Sequence, residues 1–135
     1  MELEIGCKLM EILIVDDEIL ILNELSEILI DEGYTVSTAN AVDEALLLLS
    51  TNHNVHLVLT DMKMMGKSGS DLIRTAKKEF PNKHRFIILS GHAGGEEDDG
   101  LPDAENIPFF LKPVDLDSLL TMIKNISEDY SANAK

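Results

Sequence analysis

The chain has little cysteine and no apolar run long enough to cross a membrane. Its single cysteine, Cys7, excludes an internal disulfide and fits a reducing cytosol. Every uninterrupted apolar stretch is far shorter than the ~20 residues that a transmembrane helix needs. The N-terminal segment lacks the basic start and apolar run of a signal peptide. We therefore expect a soluble, cytoplasmic protein without a membrane partner.

Basic residues are also scarce. The chain contains 11 Lys and Arg against 25 Asp and Glu, which gives a formal net charge of -14. Such a balance opposes direct contact with nucleic acid or with an anionic membrane. Part of the acidity is concentrated in the run Glu96-Glu97-Asp98-Asp99, which glycines flank. We interpret this run as a solvated loop or frayed helix, with an acidic surface for a partner as the alternative.

The length and the absence of repeats or linkers predict one domain. A domain near 135 residues buries roughly two-thirds of the surface of its unfolded chain, so a hydrophobic core is feasible. We assign residues 1–135 to this domain, with a core from about 10 to 127 and loose ends that include the final SANAK.

Five short apolar or β-branched segments read as strands. They cover residues 12–15, 35–39, 57–60, 86–89 and 109–111. Segments with apolar residues at helical spacing alternate with them. Alternation of this kind predicts an α/β fold in which helices cover both faces of a parallel sheet.

Turn and capping residues mark the predicted helices. Gly33 ends the first helix, and Pro81 follows the third. Asn40 is placed to cap a second helix that runs through Ser50, and Asp115 is a capping candidate for the last.

The segment between the fourth and fifth strands has a weaker pattern. From Ala93 to Ile107 it contains three glycines, Pro102 and few apolar residues. We therefore expect the fourth helix to be short or irregular.

Reactive side chains follow the strands. Asp16 and Asp17 come after the first strand, Asp61 after the third, Ser90 after the fourth and Lys112 after the fifth. Ligands of open α/β sheets bind beyond the carboxyl ends of strands, so these groups should converge on one crevice. Clustered carboxylates repel each other and form a hard oxygen site that suits Mg²⁺. The sequence therefore predicts a magnesium site with a lysine and a hydroxyl nearby.

These residues and their surroundings resemble the CheY-like receiver domains of two-component response regulators. The resemblance rests on ILIVDDE, LVLTDMKMMGKSG, ILSGHA and FFLKP, in that order, and extends from about Met10 to Ser127. It implies a single-domain (βα)5 doubly wound sandwich whose five-stranded parallel sheet has the flavodoxin-like order 2-1-3-4-5.

The resemblance also implies roles for the clustered residues. Asp61 would be the phosphoacceptor, a nucleophile that forms an aspartyl phosphate. Asp17 and Asp61 would bind Mg²⁺ with the backbone carbonyl of Lys63, and Asp16 would act largely through water. Lys112 would neutralise phosphoryl charge, and its bond to Pro113 is typically cis in this family.

A switch is implied as well. The Ser90 hydroxyl could hydrogen-bond a phosphoryl oxygen and draw its loop inward. Phe109 occupies the position of the coupled aromatic residue, although phenylalanine lacks a polar end and could prefer an inward position.

The partners follow from the resemblance. A sensor histidine kinase or phosphotransfer protein would supply the phosphoryl group, and a downstream protein or a missing output domain would receive the signal. We expect a monomer or weak dimer that catalyses only its own phosphorylation and dephosphorylation. Receivers commonly have proline where this chain has Met65.

Two alternatives remain open at this point. A phosphorylation-independent interaction module would keep the fold but normally lose a pocket residue. A phosphatase of the haloacid dehalogenase kind would need a second Asp at the position of Lys63.

Overall fold

The computed structural model describes residues 10–91 and 106–133, with side chains through 132. Its five strands are β1 (Glu11–Val15), β2 (Thr35–Ala39), β3 (Val55–Asp61), β4 (Arg85–Ser90) and β5 (Phe109–Leu111). They form one sheet in the order β2-β1-β3-β4-β5, and every neighbouring pair is parallel. The predicted fold class and strand order are therefore confirmed.

Four helices lie within the described residues. They are α1 (Ile19–Asp31), α2 (Val42–Thr51), α3 (Gly69–Glu79) and α4 (Leu116–Asn133). The short or irregular helix predicted between Ala93 and Ile107 falls mostly on residues 92–105, outside the described residues. The acidic run lies in the same segment.

The helices cover the sheet on both faces because side chains alternate along its strands. Ile12 and Ile14 of β1 face a core formed with α1 and α4, whereas Leu13 and Val15 face a second core formed with α2 and α3. The strands β3 and β4 alternate in the same way. Both faces of the central strands are thus buried, which explains their nearly continuous apolar sequences.

One predicted helix cap is wrong. The N-cap of α2 is Ala41, and no side chain caps this end. Asn40 is one residue too early, and its backbone N–H instead donates to the Glu44 Oε1 at 2.8 Å. The acidic side chain in the first turn therefore reaches back to the residue that precedes the cap.

The C-terminal ends of α1 and α4 are set in different ways, the first by a local residue and the second by tertiary packing. Gly33 has φ of 102° just after the C-cap of α1, a conformation that glycine adopts at little cost. By contrast, α4 continues to Asn133, into the segment expected to be loose. Tyr130 is partly buried against the core, and its ring centroid lies 4.7 Å from that of His56, so tertiary packing extends this helix.

Within residues 10–91 and 106–133, every helix is too short or too polar to span a membrane.

Candidate functional site

The carboxyl ends of the strands place the predicted side chains at one edge of the sheet. Asp16 directly follows β1, Asp61 and Ser90 end β3 and β4, and Lys112 directly follows β5. Three of these residues are polar yet nearly inaccessible: Asp16 is 1% exposed, Asp61 7% and Ser90 3%. Burial of polar groups is costly unless they are paired or bind ligands, which marks this edge as a specialised site.

Three carboxylates form the centre of the site. Asp16, Asp17 and Asp61 each offer an oxygen atom, and these atoms lie within 4.8 Å of one another. The convergence predicted from the strand ends is therefore present. A set of carboxylate oxygens at this separation has the chemistry that a hard divalent cation requires, so the residues fit Mg²⁺.

Lys112 provides the positive charge in this cluster. Its Nζ donates to Asp16 Oδ2 at 3.0 Å and lies 3.5 Å from Asp61 Oδ2. Its backbone N–H donates to the Ser90 carbonyl at 2.7 Å, which fixes the lysine beside the end of β4. The Lys112–Pro113 bond is cis, as the resemblance implied.

The electrostatics follow from burial and pairing. Burial raises the pKa of Asp61, and the charge of Asp16 acts in the same direction, whereas Lys112 and the Met62 N–H lower it without cancelling the net rise. Burial lowers the pKa of Lys112, but the hydrogen bond and charge of Asp16, together with Asp61, outweigh it and raise the pKa. Lys112 therefore stays protonated beside the acids at neutral pH.

Backbone amides orient the acid pair after β1. Asp16 Oδ1 accepts a hydrogen bond from the Glu18 N–H at 2.9 Å. Asp17 Oδ2 accepts one from the Met65 N–H, also at 2.9 Å. The N-cap of α1 is Glu18, which makes no side-chain capping bond. Neither acid is the N-cap of α1, although Asp16 also accepts from the N–H of the N-cap residue Glu18.

The loop after Asp61 is tied to its surroundings at both ends. The Met62 N–H donates to the Leu89 carbonyl at 3.2 Å, and the Gly69 N–H donates to the Met62 carbonyl at 2.8 Å. Ser68 and Asp71 form a reciprocal capping box at the start of α3. The start of α3 therefore packs directly against the residue that follows Asp61.

Gly69 is a site residue that sequence reasoning missed. An added Cβ there would overlap the backbone carbonyl oxygen of Asp61 and lie 3.1 Å from the Met62 Cα. No role was predicted for Gly69 from the sequence, and the structure makes it the first residue of α3. Only the close approach of α3 to β3 reveals why a side chain does not fit.

The remaining predicted residues are placed as follows. Phe109 is 46% exposed on β5, so its ring is not buried here, and its role in a switch stays a prediction. Ser90 pairs with Leu111 across the sheet, two residues from Phe109. Coordination of Mg²⁺ by the Lys63 backbone carbonyl stays a prediction.

The comparisons with known proteins agree with this geometry. Residues 12–124 match the family model described as the response regulator receiver domain. The two-component response regulator ORR3 of Oryza sativa subsp. indica is 33% identical over 78 residues, which cover 58% of this chain and 60% of that protein. The chain thus spans about three-fifths of that relative's length.

Solved structures show the same fold. A CheY-like receiver domain protein from Methanospirillum hungatei has a TM-score of 0.80 and 30% identity, covering 95% of this chain and 100% of that one. The response regulator TrrA from Thermotoga maritima, in complex with Mg²⁺-BeF, has a TM-score of 0.75 and 29% identity, covering 86% and 97%. The chain belongs to the response regulator receiver family of two-component systems.

Proposed function

We propose that this chain is a phosphoacceptor whose Asp61 receives a phosphoryl group from a histidine kinase or phosphotransfer protein. The observation that carries the proposal is the cluster itself, in which three carboxylates lie within 4.8 Å and the Lys112 Nζ is 3.0 Å from Asp16 and 3.5 Å from Asp61. Phosphoryl transfer needs alignment and neutralisation of charge more than covalent assistance, and this cluster offers both.

Asp16, Asp17 and Asp61 would hold Mg²⁺ together with the Lys63 carbonyl. When bound, Mg²⁺ would supply the positive charge that lets phosphoryl oxygens approach these carboxylates. The solved complex of TrrA with Mg²⁺-BeF supports this assignment by similarity.

In the transfer step, an Asp61 carboxylate oxygen forms a bond to phosphorus while the donor's N–P bond breaks. The electron pair of that bond returns to the imidazole nitrogen, and the phosphoryl group ends on Asp61. The Lys112 ammonium already lies beside Asp61 and can donate its hydrogen bonds to a phosphoryl oxygen instead. Later attack of water on phosphorus would release phosphate and restore the carboxylate. The protein would catalyse only these changes to itself.

The signal would leave through β4 and β5. Ser90 ends β4 beside the acceptor, and its hydroxyl would donate to a phosphoryl oxygen. Phe109 lies in the neighbouring strand and is half-exposed, so its ring has an outward position from which to turn inward. The changed surface would act on a downstream protein or an output domain in the cytoplasm, without direct contact with nucleic acid.

The decisive experiment measures phosphorylation by mass. The chain is incubated with acetyl phosphate and Mg²⁺, and intact mass is recorded for the wild type and for Asp61→Asn. The wild type should gain one phosphoryl group, the variant none, and excess EDTA should abolish the gain. A wild type that stays unmodified, or a variant that is modified equally, would refute the assignment and favour a phosphorylation-independent module.

A further inference from the structure

Basic residues concentrate around the turn between α3 and β4. Five of the 11 Lys and Arg lie within residues 74–85, a stretch whose only acid is Glu79. The chain as a whole has a formal net charge of -14, so this region has the opposite sign. The five residues, which we call the basic patch, are Arg74, Lys77, Lys78, Lys83 and Arg85.

A tight turn brings the two halves of the basic patch together. The Lys83 N–H donates to the carbonyl of Phe80, the C-cap of α3, at 3.3 Å. Between them, Asn82 has φ of 60°, a left-handed conformation that asparagine tolerates better than most residues. The side chains of Lys78, Lys83 and Arg85 are exposed, so their charges face solvent.

The end of the helix accounts for only part of this positive charge. Lys77 and Lys78 lie in the last turn of α3, where cations interact favourably with the helix dipole. Lys83 and Arg85 lie beyond the helix, in the turn and at the first position of β4. Helix stability therefore leaves these two cations unexplained.

A cleft of about 200 Å³ lies within the basic patch. Its lining combines cationic, polar and apolar side chains, which are Lys77, His84, Arg85, Phe86, Asn106 and Ile107. Burial, together with the charge of Lys83, lowers the pKa of His84 to about 4, so this ring is a neutral part of the wall. Sites for small molecules typically measure roughly 300–1,000 Å³, and the cleft is smaller. Its size therefore suits a single inserted side chain.

We infer that the basic patch is a docking surface for an acidic segment of a partner protein, which inserts one apolar side chain into the cleft. This surface is separate from the proposed acceptor site. Arg85 begins β4 and Ser90 ends it, and five steps of about 3.3 Å place them roughly 16 Å apart. A partner can therefore stay docked while phosphoryl chemistry takes place at Asp61.

The charge of the whole chain favours a short acidic segment over nucleic acid. Charges are screened over about 10 Å at 0.1 M salt, so a short segment on the patch senses mainly the patch. A polynucleotide carries a phosphate at every nucleotide and would extend over the acidic remainder of the chain, which repels it. The apolar part of the cleft, Phe86 and Ile107, also matches a protein side chain.

The test measures binding of a labelled peptide, made of Glu and Asp around one central Leu, by fluorescence anisotropy in about 0.1 M salt. Each exposed charge pair changes an affinity by about 1.5- to 5-fold. Lys83→Glu replaces an attraction by a repulsion and should weaken binding by about 5-fold, and its combination with Arg85→Glu by about 10-fold or more. Lys124→Glu reverses an exposed lysine of α4 outside the patch and should stay within about 2-fold of the wild type.

Several outcomes would overturn the inference. It is wrong if the wild type does not bind the peptide, or if Lys83→Glu and Lys124→Glu bind it equally. It is also wrong if a peptide with Gln and Asn in place of the acids binds as tightly, because charge would then not direct the binding. Tighter binding of a single-stranded DNA oligonucleotide of equal charge would assign the patch to nucleic acid instead.

A second measurement locates the peptide without any variant of the protein. In ¹H–¹⁵N NMR, the peptide should shift the amides of residues 83–86 and 106–107 and leave those of Asp61 and Ser90 unchanged. Replacement of the central Leu by Gly should reduce the shifts at Phe86 and Ile107, which line the cleft. Shifts confined to the edge that carries Asp61 would contradict the docking surface.

Discussion

Gly69→Ala offers a direct test of how α3 constrains the position of Asp61. The new methyl group would overlap the Asp61 carbonyl oxygen and lie 3.1 Å from the Met62 Cα. Both obstacles are backbone atoms, which cannot turn aside as the end of a long side chain could. Either α3 or the end of β3 must therefore move, on the order of 1 Å, and Asp61 would move with the strand.

The expected change in the free energy of unfolding follows from two opposing effects. Alanine gains up to about 1 kcal/mol over glycine in a helix interior, and less at the first helical position. Insertion of a methyl group into a closely packed site costs about 1–3 kcal/mol. We therefore expect net destabilisation of about 1–2 kcal/mol, and a misplacement near 1 Å could slow phosphorylation of Asp61 by about 100-fold.

Two assays would measure these effects. Urea unfolding gives the free energy of unfolding, and the rate of mass gain with acetyl phosphate gives acceptor reactivity. Gly91→Ala is a control for stability because an added Cβ there meets no described atom within 4 Å. If Gly69→Ala unfolds like Gly91→Ala and reacts at the wild-type rate, α3 does not constrain Asp61 as described.

Two further predictions concern the charges of the site. Lys112→Met leaves Asp16 and Asp61 buried without their cation and should cost about 3–5 kcal/mol of unfolding free energy at pH 7 in EDTA. Because the folded pKa of Lys112 is raised, its contribution is present below the unfolded lysine pKa and is lost as pH rises through the folded one. If Lys112→Met were as stable as the wild type in urea titrations at pH 7, the pairing of Lys112 with Asp16 and Asp61 would contribute nothing to the free energy of unfolding. For Asp61→Asn, the sign is opposite: burial raises the folded pKa of Asp61, so ionisation destabilises the wild type as pH rises through that pKa. The variant should melt higher than the wild type at pH 7 in EDTA, and the difference should vanish at pH values below the unfolded aspartate pKa, near ~4. A lower melting temperature of Asp61→Asn at pH 7 would contradict this reasoning.

Much of the fold could be predicted because the central strands β1, β3 and β4 are buried on both faces. Burial on two faces leaves nearly continuous apolar segments, such as Ile12 to Val15 and Phe86 to Leu89, and these segments stand out in the sequence. Apolar segments are directly followed by Asp16, Asp61, Ser90 and Lys112. Parallel strands end at one edge of the sheet, so the order of residues was enough to predict their convergence.

Other features depend on contacts between distant segments. The helix α4 extends to Asn133 while Tyr130 packs on the core, and no local propensity required this. The exclusion of a side chain at Gly69 depends on the approach of α3 to the Asp61 carbonyl. Likewise, every residue except proline carries a backbone N–H, so the sequence shows only that Met65 has a donor and not that Asp17 receives it.

The difference between these two groups of features has a physical reason. Hydrophobic periodicity and residue chemistry are local properties, and the amino-acid order alone was sufficient to specify the strands and the reactive groups that follow them. Orientation, pKa and close backbone approach depend on distances between segments remote in the chain. Those distances exist only after both cores of the sheet are packed, so the tertiary structure decided how Lys112, Asp17 and Gly69 are placed around Asp61.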